Sequence, residues 1–70
     1  METLKVNGAE KQFPEGGLPS TISELLTQLA VDAATVVAEL DGQIIERNEF
    51  AQTQLRDGCN IELVRFVPGG

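Results

Sequence analysis

Three dipeptides, Asn7-Gly8, Asp41-Gly42 and Asp57-Gly58, constrain this chain more than any other feature, because each joins a residue tolerant of positive φ to a glycine. Such pairs close hairpins and tight turns, so they cut the sequence into short extended segments. Glu2 to Asn7 carries Leu4 and Val6 at period two, the alternation of a strand with one buried face, and Ala9 to Phe13 is its return strand. Val36 to Leu40 is rich in β-branched residues and runs into Asp41-Gly42, after which Gln43 to Ile45 forms a short returning strand. Asp57-Gly58 turns the chain into a final strand, Asn60 to Val67.

One stretch follows a different period. Pro14, Gly16, Gly17 and Pro19 interrupt regular structure, and Thr21-Ile22-Ser23-Glu24 then has the spacing of a capping box. Ile22, Leu25, Leu26 and Leu29 stand at i, i+3, i+4 and i+7, which predicts a helix with one apolar stripe that fades near Ala30 to Asp32. Glu46 to Arg56 is polar apart from the anchors Phe50 and Leu55 and reads as a loop holding about one helical turn. The order strand, strand, helix, strand, short strand, strand makes this an α+β chain. Its 70 residues suffice for one domain, with a small core and no room for a deep substrate cavity.

Composition excludes several functions. Hydrophobic residues make up 41% of the chain and charged residues 23%, ordinary globular usage, so the chain is expected to fold on its own. The net charge is −6, and the cations Lys5, Lys11, Arg47, Arg56 and Arg65 are scattered in sequence. Binding to nucleic acid or an anionic membrane needs concentrated positive charge, so neither partner is expected; a basic protein partner fits, as does simple solubility. Cys59 is the only cysteine, which rules out an internal disulfide and points to a reducing compartment. With no signal-peptide pattern and no apolar run of membrane-spanning length, a cytoplasmic location is expected.

Histidine is absent, which removes the commonest general base and the commonest zinc ligand together. A Ser-His-Asp triad, a hydrolytic zinc site and a Cys-His pair are all excluded, and neither a bound cofactor nor a metal is expected. Glu46 and Glu49 read as a solvated polar segment, and Cys59, whose one cationic sequence neighbour is Arg56, as a packing residue.

The chemistry is therefore sought at the end of the chain. Domain boundaries are placed at 1–67 for the folded part and 68–70 for a flexible tail, Pro68-Gly69-Gly70, expected to project from the sheet. Two terminal glycines arise by chance in roughly 0.5% of chains, given an average glycine usage of about 7%, so the pair is a signal. Without a Cβ, such an end can thread a narrow channel and bring its carboxylate against a bound nucleotide. That carboxylate is ionised near pH 7 and can attack the α-phosphate of ATP to give an acyl adenylate, from which the acyl group can pass to sulfur.

From Leu40 onward the residues resemble those of the ThiS family of sulfur carriers: Leu40-Asp41-Gly42-Gln43-Ile44-Ile45, Arg47 followed three residues later by Phe50 and then Ala51, Asp57-Gly58, the apolar strand Ile61 to Val67, and Gly69-Gly70. Before Thr21 only the order of elements agrees. Asp41 stands where the family usually has Asn, and Cys59 where it often has Asp; both lie at a turn or strand start, where they bear on local geometry. The resemblance implies a ubiquitin-like β-grasp fold, a mixed sheet with the last strand beside the first and one main helix packed across one face. That strand order comes from analogy, since one sequence does not display it.

The resemblance further implies a carrier rather than an enzyme, monomeric when free. Its Gly70, with Gly69 as its small neighbour, would be adenylated by a ThiF-type activating enzyme that uses ATP. It would then become a thiocarboxylate with sulfur from a desulfurase system, and a ThiG-type thiazole synthase would take that sulfur for the thiazole of thiamin. Partner docking is expected from the outer face of the last strand. Ile61 and Leu63 suit the core, so alternation turns Glu62, Val64 and Phe66 outward, next to Pro68 and the glycines. A MoaD-type small subunit of molybdopterin synthase, a ubiquitin-type modifier and a non-covalent interaction domain of the same fold remain as alternatives.

Overall fold

The computed structural model describes residues 1–67; Pro68, Gly69 and Gly70, and with them the expected tail, lie outside the described residues. Five strands, β1 (Glu2–Val6), β2 (Ala9–Phe13), β3 (Val36–Leu40), β4 (Gln43–Ile45) and β5 (Asn60–Arg65), form one sheet in the order β2-β1-β5-β3-β4. The β1–β2 and β3–β4 pairs are antiparallel hairpins, with Asn7 and Asp41 at φ 51° and 50° before glycines at 82° and 85°. Residues of positive φ at both turn positions match the right-handed twist of the flanking strands. β5 runs parallel to β1 and antiparallel to β3, which makes the sheet mixed.

Helix α1 (Ile22–Gln28) lies on the connection that carries the chain from β2 past β1 and β5 to β3, and packs on one sheet face. The Thr21 hydroxyl accepts from the Glu24 amide at 3.2 Å, while the Glu24 carboxylate accepts from the Ser20 amide, one residue further back than a capping box places it. Ile22, Leu25 and Leu26 are buried and Leu29 is partly so, as the stripe requires.

The helix stops before the expected Ala30 to Asp32. Ala30 turns into the left-handed region at φ 57°, its N–H donating to the Thr27 carbonyl and that of Val31 to the Leu26 carbonyl. This is the Schellman arrangement in which glycine is usual. A 3-10 turn, Ala33–Thr35, capped by the Asp32 carboxylate, then leads into β3, and a second, Arg47–Glu49, precedes Phe50. Helix and sheet enclose a core centred on Phe50, Leu4, Ile22, Leu25, Leu26 and Ile61, each at most 2% exposed, with Cys59 buried at its margin.

Candidate functional site

Strand register defines the face of the sheet that α1 leaves open. Leu4, Val6, Ile61 and Ala38 point toward the helix, so the residues between them point away. On that open face Val37 sits directly opposite Val64, and Glu39 lies between Ile44 on β4 and Glu62 on β5. Phe66 follows Val64 on the same side. Exposures of 42% for Val37, 66% for Ile44, 58% for Val64 and 47% for Phe66 make these four apolar side chains surface residues. Ala33, Ala34, Val37, Ile44, Arg47 and Phe66 line one shallow depression, so the apolar surface reaches around the start of β3 to a cation at its rim.

β5 is held firmly at its start and carries this surface toward the end of the chain. The Asp57 carboxylate accepts from the Thr3 amide at 2.7 Å, and the Asp41 carboxylate from the Asn60 amide at 2.9 Å, so both turns that contain them also tie β5 to its neighbours. The strand ends at Arg65, two residues short of the expected Val67, although the Phe66 N–H still donates to the Thr35 carbonyl at 2.9 Å. β3 is preceded there by the Ala33–Thr35 turn, and regular pairing stops.

Of the residues singled out in the sequence, Glu62, Val64 and Phe66 are all exposed, the first two on β5 and the third just past it. Pro68, Gly69 and Gly70 lie outside the described residues. Sequence reasoning did not find Val37 and Ile44. Alternation along Val36–Leu40 turns Val37 outward, but its place beside Val64 comes from strand order. Cys59 is buried and its sulfur accepts from the Arg56 amide, a packing role with one local hydrogen bond. Among the described residues no three side chains of His, Cys, Asp or Glu gather as a metal site, and no helix is long and apolar enough to cross a membrane.

A mixed five-stranded sheet of this order, with one helix across one face and an apolar open face beside its last strand, is a ubiquitin-like β-grasp domain. A sequence model of the ThiS family matches residues 4–70, and the chain belongs to that family. The crystal structure of the thiamine biosynthesis protein ThiS from Geobacter metallireducens superposes with a TM-score of 0.79 at 37% identity, covering 97% of this chain and 99% of that one. The sulfur carrier protein ThiS of Bacillus subtilis is 30% identical over 67 residues, 96% of this chain and 98% of its own length. A thiazole synthase of Paramagnetospirillum magneticum is 34% identical over 67 residues, and there the match spans 96% of this chain but only 20% of the synthase.

Proposed function

We propose that this protein is a sulfur carrier of thiamin biosynthesis, and that Gly70 carries the sulfur as a thiocarboxylate. In the first step a carboxylate oxygen of Gly70 attacks the α-phosphate of ATP on a ThiF-type enzyme, forming an acyl–phosphate bond and releasing pyrophosphate. A persulfide sulfur delivered by a desulfurase system then attacks the acyl carbon and AMP leaves, giving an acyl disulfide. A second thiol of the partner enzymes attacks the sulfur of that S–S bond that belongs to the delivering cysteine, forms a disulfide with it, and releases the C-terminal thiocarboxylate. A ThiG-type thiazole synthase takes that sulfur. The catalytic groups belong to the partners, and ATP is their co-substrate; this chain supplies the carboxylate and the surface that aligns it.

The observation that carries the reading is the exposed apolar surface of Val37, Ile44, Val64 and Phe66, set on and beside the strand that leads to Gly69-Gly70, in a chain of the ThiS family. Glu62, on the same face, would meet a basic partner surface, in keeping with the net charge of −6. The thiazole synthase that contains a ThiS-like stretch favours thiazole formation as the destination of the sulfur.

The test is intact-mass measurement after incubation with ATP, a sulfur source and a ThiF-type enzyme. The expected product has gained the mass difference of one sulfur replacing one oxygen. Deleting Gly70 draws the carboxylate back by about 3.3 to 3.6 Å, the reach of one extended residue, and should abolish ATP–pyrophosphate exchange without moving the unfolding transition. Undiminished exchange in the truncated chain would show that the carboxylate of Gly70 is not the group activated.

A further inference from the structure

β5 outruns β1, and the part left over is a sheet edge that no strand among the described residues pairs with. In the β3–β5 ladder the Asp41 amide donates to the Asn60 carbonyl and the Phe66 amide to the Thr35 carbonyl. Antiparallel alternation therefore turns the backbone groups of even-numbered β5 residues toward β3 and those of odd-numbered ones toward β1. On that second side the Lys5 amide donates to the Cys59 carbonyl and the Asn7 amide to the Ile61 carbonyl. At Asn7 the first hairpin turns away, and the Asn7 side-chain oxygen takes over as acceptor for the Leu63 amide at 2.7 Å. Beyond it no described residue pairs with the carbonyl of Leu63 or with the N–H and carbonyl of Arg65.

The notch beside this edge has a definite chemistry. On the helix side of the sheet it is lined by Ala9, Leu29, Val31 and Leu63, with Lys11 and Arg65 among them. Two of the chain's five cations thus meet at one apolar groove on a protein of net charge −6. Arg65 also borders the adjoining depression that includes Asp32, whose carboxylate accepts from the Ala34 amide.

We propose that this notch receives an extended acidic segment of the adenylating enzyme, which adds to the sheet as a strand along Leu63–Arg65. Its backbone takes up the free groups of Leu63 and Arg65, and alternate side chains enter the groove, an apolar one toward Leu29 and Leu63 and a carboxylate between Lys11 and Arg65. Main-chain pairing supplies affinity in such β-augmentation, and the alternate pockets supply specificity. Held on that edge as well as on the open face, β5 would be fixed in direction as it approaches the nucleotide. The inference rests on the carrier reading.

The experiment follows amide hydrogen exchange in the isotope-labelled full chain, free and bound to a ThiF-type enzyme, with ATP–pyrophosphate exchange recorded on the same samples. The Arg65 amide is expected to exchange about tenfold or more slowly in the complex. Pyrophosphate exchange with an unprotected Arg65 amide overturns the strand pairing and leaves the carrier reading intact. Failure of pyrophosphate exchange with the unaltered chain overturns that reading, and this inference with it. Lys11→Glu combined with Arg65→Glu should raise the Kd by about tenfold or more, while Arg56→Glu, exposed in the loop before β5 and outside both surfaces, should not. Equal weakening by the double variant and the control would overturn the assignment of an acidic segment to the notch.

Discussion

Replacing Val64 by aspartate separates the open face's contribution to folding from its contribution to docking. Val64 is 58% exposed and sits opposite Val37, so in the free protein the change removes one half-solvated apolar pair and sets a third carboxylate beside Glu62 and Glu39. Cross-strand pairs of this kind contribute about 0.2 to 1 kcal/mol, and a like charge nearby adds a similar amount, so the fold should lose about 1 kcal/mol. For a domain of this size that lowers Tm by about 4 to 8 °C and leaves it folded at 25 °C. In the complex the same carboxylate would be enclosed without a partner, at an effective cost of several kcal/mol. At about 1.4 kcal/mol per decade, even 3 kcal/mol raises the Kd more than about a hundredfold. Thermal unfolding by circular dichroism and titration against a ThiF-type enzyme measure the two quantities separately. A chain that no longer folds would place Val64 in the core, and an unchanged Kd in a folded chain would place docking on another surface.

Other outcomes follow from single residues. Ala30→Gly should raise stability by about 0.5 to 1 kcal/mol, because Ala30 stands at φ 57°, a conformation that costs a residue with a Cβ about 1 to 2 kcal/mol, partly offset by the greater freedom of glycine in the unfolded chain; urea unfolding checks it, with Ala51→Gly, at a position without positive φ, expected to destabilise. Phe50→Ala, at a side chain only 2% exposed, should cost about 3 to 5 kcal/mol, most of the margin of a 70-residue fold, and a shallow, early unfolding transition would report it. Glu62→Lys turns the directly opposed Glu39–Glu62 pair into one of opposite charge and should stabilise the free fold by about 0.2 to 1 kcal/mol, while weakening capture by a basic partner surface; a Tm that falls would refute the like-charge account.

The sequence displayed the elements through local chemistry and withheld whatever depends on which strand lies beside which. Asn7-Gly8 and Asp41-Gly42 read directly as hairpins because positive φ at two successive positions leaves few other choices, and Ile22, Leu25 and Leu26 declared the buried helix face by period alone. The end of α1 was not legible, because an alanine occupies the left-handed position where glycine would have marked it. Nor was the full extent of the open face: alternation within β5 turned Val64 outward, but only the β3–β5 register sets Val37 beside it and Glu39 beside Glu62. The notch beyond Asn7 is further still from the sequence, since it arises from the offset between two parallel strands 55 residues apart at the Val6–Ile61 pairing.

That offset also explains how so small a domain can hold its last strand and still present it. At its start β5 is tied on both sides, by the Lys5 amide of β1 and the Asn7 amide of the turn after it, and by Asp41 from the β3–β4 turn. After the Leu63 amide, held by the Asn7 side chain, β3 is the one strand beside it among the described residues, through Val64 and finally the Phe66 amide on Thr35. Rigidity therefore falls along the strand in the direction of Gly70, one side at a time. The side chains of Val37, Val64 and Phe66 remain exposed over the same stretch, so the surface available for docking lies where the sheet's own hold on the chain is weakest. A partner that grips there completes the sheet's incomplete edge and takes over control of the chain's direction, which a fully paired β5 would not permit.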